Sequence, residues 1–203
     1  MSVANAIESR RSCHLFDPEQ ALDDAVIARL ATLASRAPSA YNCQNWRFIA
    51  VRSASGKAAL AAAAYGQRKV SDAAVTFIIC GTLPPQHGLA AALQPAVLRG
   101  DVSAALAASW VSQASDTFHD QPQLQREEAI RSASLAAMTL LLAAEGEGLA
   151  SCPLSGFDAA AVRQAFALPP EQLPVLLVSI GHAASGNAPQ KPRKALSELL
   201  QLA

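Results

Sequence analysis

No stretch of this chain reads G-x-G-x-x-G, G-x-x-x-x-G-K-[ST] or H-E-x-x-H, and no Ser, His and Asp stand in a triad context. A dinucleotide fingerprint, a nucleotide phosphate loop, a zinc-protease helix and a serine hydrolase therefore lack support. Excess charge is missing too. Lys plus Arg and Asp plus Glu are both 16, so the net charge is zero. No basic field exists to attract nucleic acid or an anionic membrane. The four cysteines, Cys13, Cys43, Cys80 and Cys152, stand singly, with no C-x-x-C pair and no Cys/His cluster at zinc spacing. The chain opens MSVANAIESRR without the apolar core of a signal peptide, so reduced thiols in a cytoplasmic protein are expected. The longest apolar run, Leu135 to Ala144, is interrupted by Thr139 and falls short of the roughly 20 residues that span a bilayer. A soluble, cytoplasmic protein with no metal, nucleic-acid or membrane partner is expected.

What is present is enough to bury a substantial core. The chain has 203 residues, of which 51 % are hydrophobic, and no linker or internal repeat divides it, so one domain over 1–203 is expected. Leu22, Val26, Leu30 and Leu33 recur at helical spacing, and the helix from Asp23 to Arg36 must stop at Pro38. Ser39, Asn42, Gln44 and Asn45 then crowd four small polar side chains before a strand, Trp46 to Val51. Such a corner is either an ordinary connector or a place to hold a flat polar ligand by amides and hydroxyls.

Val3 to Ser9 and Gly56 to Ala64 read as short helices, and Val75 to Cys80 as a strand. Thr82 to Gly100, with Pro84, Pro85, Gly88, Pro95 and Gly100, reads as loop with at most one short helix. Asp101 to Ala114 is helical and Ser115 to Gln123 polar. Gln125 to Glu145 is the strongest helix, apolar almost all round from Leu135 to Ala144, and is expected to be buried on every face. That invites either a partner subunit or a central position in a monomer. A short strand at Leu149 to Ser151, a turn at Pro153 to Gly156, a helix from Ala159 to Phe166 capped by Asp158, and a strand from Pro174 to Gly181 complete the pattern.

Basic pairs stand at both ends of the chain, Arg10-Arg11 beside Ser12 and Lys191 with Arg193. Adjacent arginines are usually solvated surface, but a guanidinium fork and an ammonium also suit phosphate oxygens.

Arg10-Arg11-Ser12 followed by Phe16, then Ala37 to Trp46 (APSAYNCQNW), Leu149 to Asp158 (LASCPLSGFD), Ile180-Gly181 and Lys191-Pro192-Arg193 resemble the nitroreductase family of FMN flavoproteins. The pieces stand in the family's order and near its spacing over nearly the whole chain. The resemblance implies an α+β, three-layer nitroreductase-like fold, with a mostly antiparallel central sheet of four or five strands flanked by helices, in an intertwined homodimer with flavins at the interface. Residues 82–123 would be its variable lid. It implies an NADH- or NADPH-dependent FMN oxidoreductase that passes hydride by a ping-pong mechanism to a small electron-poor acceptor such as a nitroaromatic or quinone. Other readings are a flavin-binding scaffold or sensor without turnover, or a specialised reductase or flavin-cleaving enzyme of the same fold.

Carried over residue by residue, Arg10, Arg11, Ser12, Lys191 and Arg193 would hold the FMN phosphate. Pro38, Ser39, Ala40, Asn42 and Gln44 would meet the flavin, the first three from the partner subunit, although Asn45 stands where the family has proline. Gln67 would face the flavin pyrimidine and Lys69 the N1–C2=O edge, where a cation stabilises the anionic reduced form. Pro153, Leu154, Ser155 and Gly156 would turn a backbone amide toward flavin N5. Cys13-His14 departs from the family's hydrophobic and basic residues, and His14 is grouped with the lid aromatics Trp110 and Phe118 at the substrate pocket. Each aromatic could instead be lid core. No catalytic side chain is expected, because the flavin carries the chemistry.

Overall fold

The computed structural model describes residues 1–203. Its elements in chain order are α1 (Val3–Ser9), α2 (Asp24–Ala34), β1 (Trp46–Val51), α3 (Ala54–Ala63), α4 (Arg68–Asp72), β2 (Val75–Thr82), α5 (Leu89–Arg99), α6 (Ala104–Phe118), α7 (Pro122–Gly146), β3 (Ala150–Leu154), α8 (Ala159–Ala165), β4 (Gln172–Gly181) and α9 (Leu196–Leu199). One four-stranded sheet has the order β1-β2-β4-β3, with every neighbouring pair antiparallel. Pro153 lies on the edge strand β3, where its missing N–H removes no inner ladder bond.

Alternation along the two central strands makes the layers. Val75, Phe77, Ile79, Val178 and Ile180 face α2 and α7, in a cluster with Leu30, Ala133, Ala137 and Leu140. Ile78, Cys80 and Leu177 face the other way, onto Leu60 of α3, Val70 of α4 and Val162 of α8. A period-two pattern buried on both faces requires a helical layer on each side. The expected α+β, three-layer arrangement is what is found.

Three expectations need correction. Residues 82–100 are not mainly loop: after a 3-10 turn at Pro85–Gly88, α5 runs eleven residues with Pro95 inside it. Leu89 and Leu93, one turn apart and both buried, offset the proline, and Gly100 at φ 78 ends the helix in a left-handed cap. Five residues form α4, where no helix is expected. The long helix starts earlier than its apolar pattern, with Pro122 in the first turn, where its missing N–H is harmless.

Within one chain, that helix is buried on one side only. Its Ala129, Ala133, Ala136, Ala137, Leu140 and Ala144 side is sealed, while Ile130, Leu135 and Met138 are 38 %, 41 % and 41 % exposed. Its 25 residues are long and apolar enough to cross a membrane by length and composition, but it is the helix against which α2 and all four strands pack. Gly81 shows how closely: a Cβ there would come within 2.5 Å of the Ala129 carbonyl oxygen.

Candidate functional site

The N-terminal basic segment touches the outer edge of β3 through one isolated bridge. Ser12 pairs in parallel with Ser151, and the Cys13 N–H donates to the Ser151 carbonyl at 3.0 Å. The C-terminal loop is tied to this segment by Asn187. Its Oδ1 accepts from the backbone N–H of His14 at 2.8 Å and Leu15 at 3.0 Å, while its Nδ2 donates to the carbonyls of Leu15 at 2.7 Å and Ala184 at 3.0 Å. Gln190 adds a bond to the Arg10 carbonyl. These contacts bring residues some 180 positions apart around one cleft, lined by Arg11, Ser12, His14, Gln190, Lys191 and Arg193.

This cleft is cationic and uncompensated. Arg10, Arg11, Lys69, Lys191 and Arg193 make no ion pair, although five other arginines do. Arg10 Nη1 is buried with no hydrogen-bond partner. A buried guanidinium donor without an acceptor is costly unless an anion completes it. Burial pushes the neighbouring Cys152 thiol up, while Lys69, Arg10 and Lys191 pull it down, so three of these cations act on one thiol of β3.

From the cleft the site continues along α4 to the turn after β3. Lys69 Nζ lies 3.5 Å from His14 Nδ1. Two residues back, Gln67 Nε2 donates to the Gly156 carbonyl at 2.7 Å and to Ala64 at 3.0 Å, which leaves Oε1 as its free group. The turn is fixed from within: the Asp158 N–H bonds to Ala63, and Asp158 Oδ1 caps α8 by accepting from Ala160 and Ala161. The N–H groups of Ser155 and Gly156 themselves donate to nothing and lie at the surface. A rigid turn with two free donors is a ready acceptor site for a developing negative charge.

The polar corner lies elsewhere. Arg10 to Ser12 sit beside Ser151, which pairs with Ile180 and through it with Val75 at the start of β2. Trp46, just after the corner, pairs with Gly81 near the end of β2. Six residue steps along β2 separate the two ends, roughly 20 Å. Within one chain, the corner from Pro38, Ser39 and Ala40 to Asn42 and Gln44 therefore stands at the opposite end of the sheet from Arg10 to Ser12.

The corner is strained. Tyr41, Asn42 and Gln44 have φ of 54°, 63° and 49°, the left-handed region that only Asn among them tolerates readily. Ser39 holds the shape by accepting from the Gln44 N–H at 2.9 Å, and Tyr41 reaches Thr117 of α6 at 3.2 Å. Asn45 is 2 % exposed, yet neither end of its side-chain amide has a partner.

Within one chain, Phe118 and Trp110 sit with the lid cluster and His14 with the basic cleft. Phe118, 3 % exposed, belongs to the lid core with Cys43, Leu89, Leu93 and Ala114, edge-on to Tyr41 at 6.5 Å. Trp110 packs half-buried against the same cluster. His14 lines the basic cleft instead, and burial, Lys69 and Lys191 hold its imidazole below the usual value. The roomier cavities, about 520 and 680 Å³, lie between α5 and α6 and carry no Arg or Lys to meet a phosphate.

Sequence reasoning missed Asn187 altogether. A loop asparagine has no motif, and only its four backbone bonds mark it. The strain at Tyr41 was equally silent, since a tyrosine gives no sign of positive φ.

The model of the "Nitroreductase family" matches residues 7–182. The chain belongs to the nitroreductase family. YodC of Bacillus subtilis (strain 168), which carries a provisional NAD(P)H nitroreductase name, is 28 % identical over 198 residues, covering 98 % of this chain and 97 % of its own. Protein DrgA of Synechocystis is 31 % identical over 193 residues, covering 95 % and 89 %. A provisionally assigned nitroreductase from Exiguobacterium sibiricum, solved in complex with FMN, superposes with a TM-score of 0.93 at 23 % identity over 100 % of this chain and 98 % of that one. The fold and the family are thus those that the sequence motifs resemble.

Proposed function

We propose that this protein is an FMN-dependent oxidoreductase that takes hydride from NADH or NADPH and passes it to an electron-poor acceptor such as a nitroaromatic or quinone. One observation carries the reading: Arg11, Lys191 and Arg193, none of them ion-paired, line a cleft beside Arg10, with its buried, unpartnered Nη1, at one end of a surface that finishes in two free N–H donors. Anion donors at one end and neutral acceptors and donors at the other suit a phosphate joined to a flat polar ring. A name given to YodC and the FMN held by the Exiguobacterium relative point the same way.

Bound flavin would supply the hydride-accepting atom N5. Around it, Arg10, Arg11, Ser12, Lys191 and Arg193 would bind the phosphate by charge-assisted hydrogen bonds. Gln67 Oε1 would accept from the ring imide, and Lys69 would stabilise negative charge at the N1–C2=O edge. The Ser155 and Gly156 N–H groups would donate toward N5. None of these residues needs to change its covalent state, so the protein's part is position and electrostatics. One exposed flavin face would serve donor and acceptor in turn.

We propose further that the working unit is a homodimer in which the corner of one chain completes the cradle of the other. A cleft of about 80 Å³ is far below the ~300–1,000 Å³ of whole-ligand sites, so this cleft by itself would hold only one end of the cofactor. Exposed Ile130, Leu135 and Met138 on α7, exposed Val3 and Ile7 on α1, and an exposed C-terminal arm with Leu196, Leu199 and Leu202 offer apolar surface for a second copy. Four unpaired thiols accord with a cytoplasmic location.

The test is a spectrum of the purified protein, with mass spectrometry of the released chromophore. FMN that bleaches on anaerobic addition of NADH or NADPH is expected, with parallel double-reciprocal lines in steady state. FAD, no flavin, or flavin that nicotinamide fails to bleach would each defeat the reading. Sedimentation at micromolar concentration should give a dimer.

A further inference from the structure

We propose that His14 is the proton-holding residue of the flavin edge, resting neutral against Lys69 and taking a proton at Nδ1 when hydride brings negative charge to that edge. The proposal rests on the FMN reading above and goes beyond it, because no role in the reaction has so far been given to this side chain.

The geometry is specific. His14 Nδ1 lies 3.5 Å from Lys69 Nζ, so a neutral imidazole accepts from the ammonium, and a protonated one sets two like charges side by side. The backbone on both sides of the imidazole is fixed, since Asn187 Oδ1 accepts from the N–H groups of His14 and Leu15. That clamp fixes where the side chain of His14 leaves the backbone, on the side of the cleft that Lys69 faces. The charged groups that face it are all cations. Lys69 comes from α4 and Lys191 from the C-terminal loop, and Arg11 and Arg193 line the same cleft. Cys152, behind Lys69, is kept protonated by burial, and no carboxylate pairs with any of these groups. Burial first, then Lys69 and Lys191, disfavour the imidazolium while no negative charge is near.

Reduction changes that balance. In the flavin-loaded protein, hydride from the nicotinamide, two electrons and one proton, would leave one negative charge on the ring, which Lys69 would stabilise. That charge offsets the repulsion between Lys69 and a protonated His14, so the imidazole draws one proton from solvent. When an acceptor later takes hydride, the charge leaves and His14 releases its proton, which a quinone needs to become a hydroquinone. The bound phosphate raises the affinity of His14 for a proton equally in both states and does not affect the difference. A lysine in this position would carry its charge throughout; histidine is the side chain whose ordinary range lets it follow the flavin.

The experiment is a potentiometric titration of the flavin-loaded protein from about pH 6 to about pH 9, a window spanning the ordinary imidazole range. Each proton taken up with two electrons changes the equilibrium tenfold per pH unit, which is ~30 mV. Wild type should show two such protons, ~60 mV per pH unit, over the lower part of the range and one at the top. His14→Gln, which keeps a polar side chain but cannot titrate, should show one throughout and meet wild type only at high pH. His14→Lys should show one throughout, with the higher potential at high pH. In parallel, NMR titration of His14 in wild type should show its proton affinity rising on reduction. Stoichiometric flavin with identical slopes in wild type and His14→Gln would overturn this proposal and leave the FMN reading standing. A protein that takes up no flavin would overturn both.

Discussion

The two polar regions of this molecule are built to opposite standards. In the cradle, nearly every structural bond is made: Asn187 closes four, Gln67 two, and Asp158 caps its helix. Its loose ends, Arg10 Nη1, Gln67 Oε1 and the Ser155 and Gly156 N–H groups, are those a ligand would use. In the corner, three residues hold left-handed backbone, and Asn45 buries an amide with both ends unpartnered. Strain of this kind persists only where the surroundings over-determine it, and it gathers at functional sites. The cradle is complete enough to seat an anion alone. The corner, by contrast, keeps strain and an unpaired amide that nothing within this chain relieves.

The largest effect expected is on the cradle. Arg10→Ala removes the buried charged donor, and the loss of such a bond, ~1.5–3 kcal/mol, should weaken FMN about 10- to 150-fold in a flavin-quenching titration. Unchanged affinity would break the assignment of the phosphate end. Next comes Asn187→Ala, which removes no charge. If the clamp positions Lys191 and Arg193, FMN should bind roughly tenfold more weakly, from ~1–2 kcal/mol of lost alignment. The salt dependence of binding should be unaltered, because the number of cations is the same. A changed salt dependence would mean that Asn187 acts other than by position.

Asn45→Leu sharpens the other side of the comparison. Replacing an unsatisfied buried amide by an apolar group of similar shape should raise stability by about 1–3 kcal/mol, read as a higher melting midpoint in the flavin-free protein. A lower midpoint would show that the amide is satisfied in solution and the corner less strained than described.

A smaller effect separates the lid and sheet from the cradle by pH. Burial pushes the thiols of Cys43, beneath the lid, and Cys80, in β2, up to about 11 from an ordinary 9.0. A raised folded value means that the unfolded chain loses these protons first. Their contribution to stability is therefore full below pH 9.0 and falls as pH climbs toward about 11. Denaturant midpoints for Cys43→Ala should decline less steeply over that window than those of wild type; equal slopes would contradict it.

Much of this was legible in the chain because the family's pieces are local. Arg10 to Ser12, the 149–158 turn and the Lys191 to Arg193 pair are contiguous, and β2 and β4 declare themselves by largely apolar, β-branched composition. What escaped depends on relations between distant residues or on backbone shape. The burial of Leu89 and Leu93 outweighs Pro95 only once α6 lies against them, so α5 could not be read beforehand. Phe118 gave no sign of whether it faced in or out. The meeting of His14 with Lys69 joins residues 55 positions apart, which no spacing encodes.

The central claim, that each flavin site draws its cradle from one chain and its corner from another, is tested most directly by mixing two defective variants. One is Arg10→Ala with Arg193→Ala, which spoils the cradle. The other is Asn42→Gly with Gln44→Gly, which removes both corner amides and leaves a residue at ease with positive φ. After the subunits are exchanged by dilute denaturant and refolding, each mixed dimer holds one site made of an intact cradle and an intact corner. Equilibrium dialysis should then find one tightly bound FMN per mixed dimer, at wild-type affinity, where neither parent binds tightly. No recovery on mixing, with dimers confirmed by sedimentation, would mean that each chain builds its site alone, and the shared-site account would be wrong.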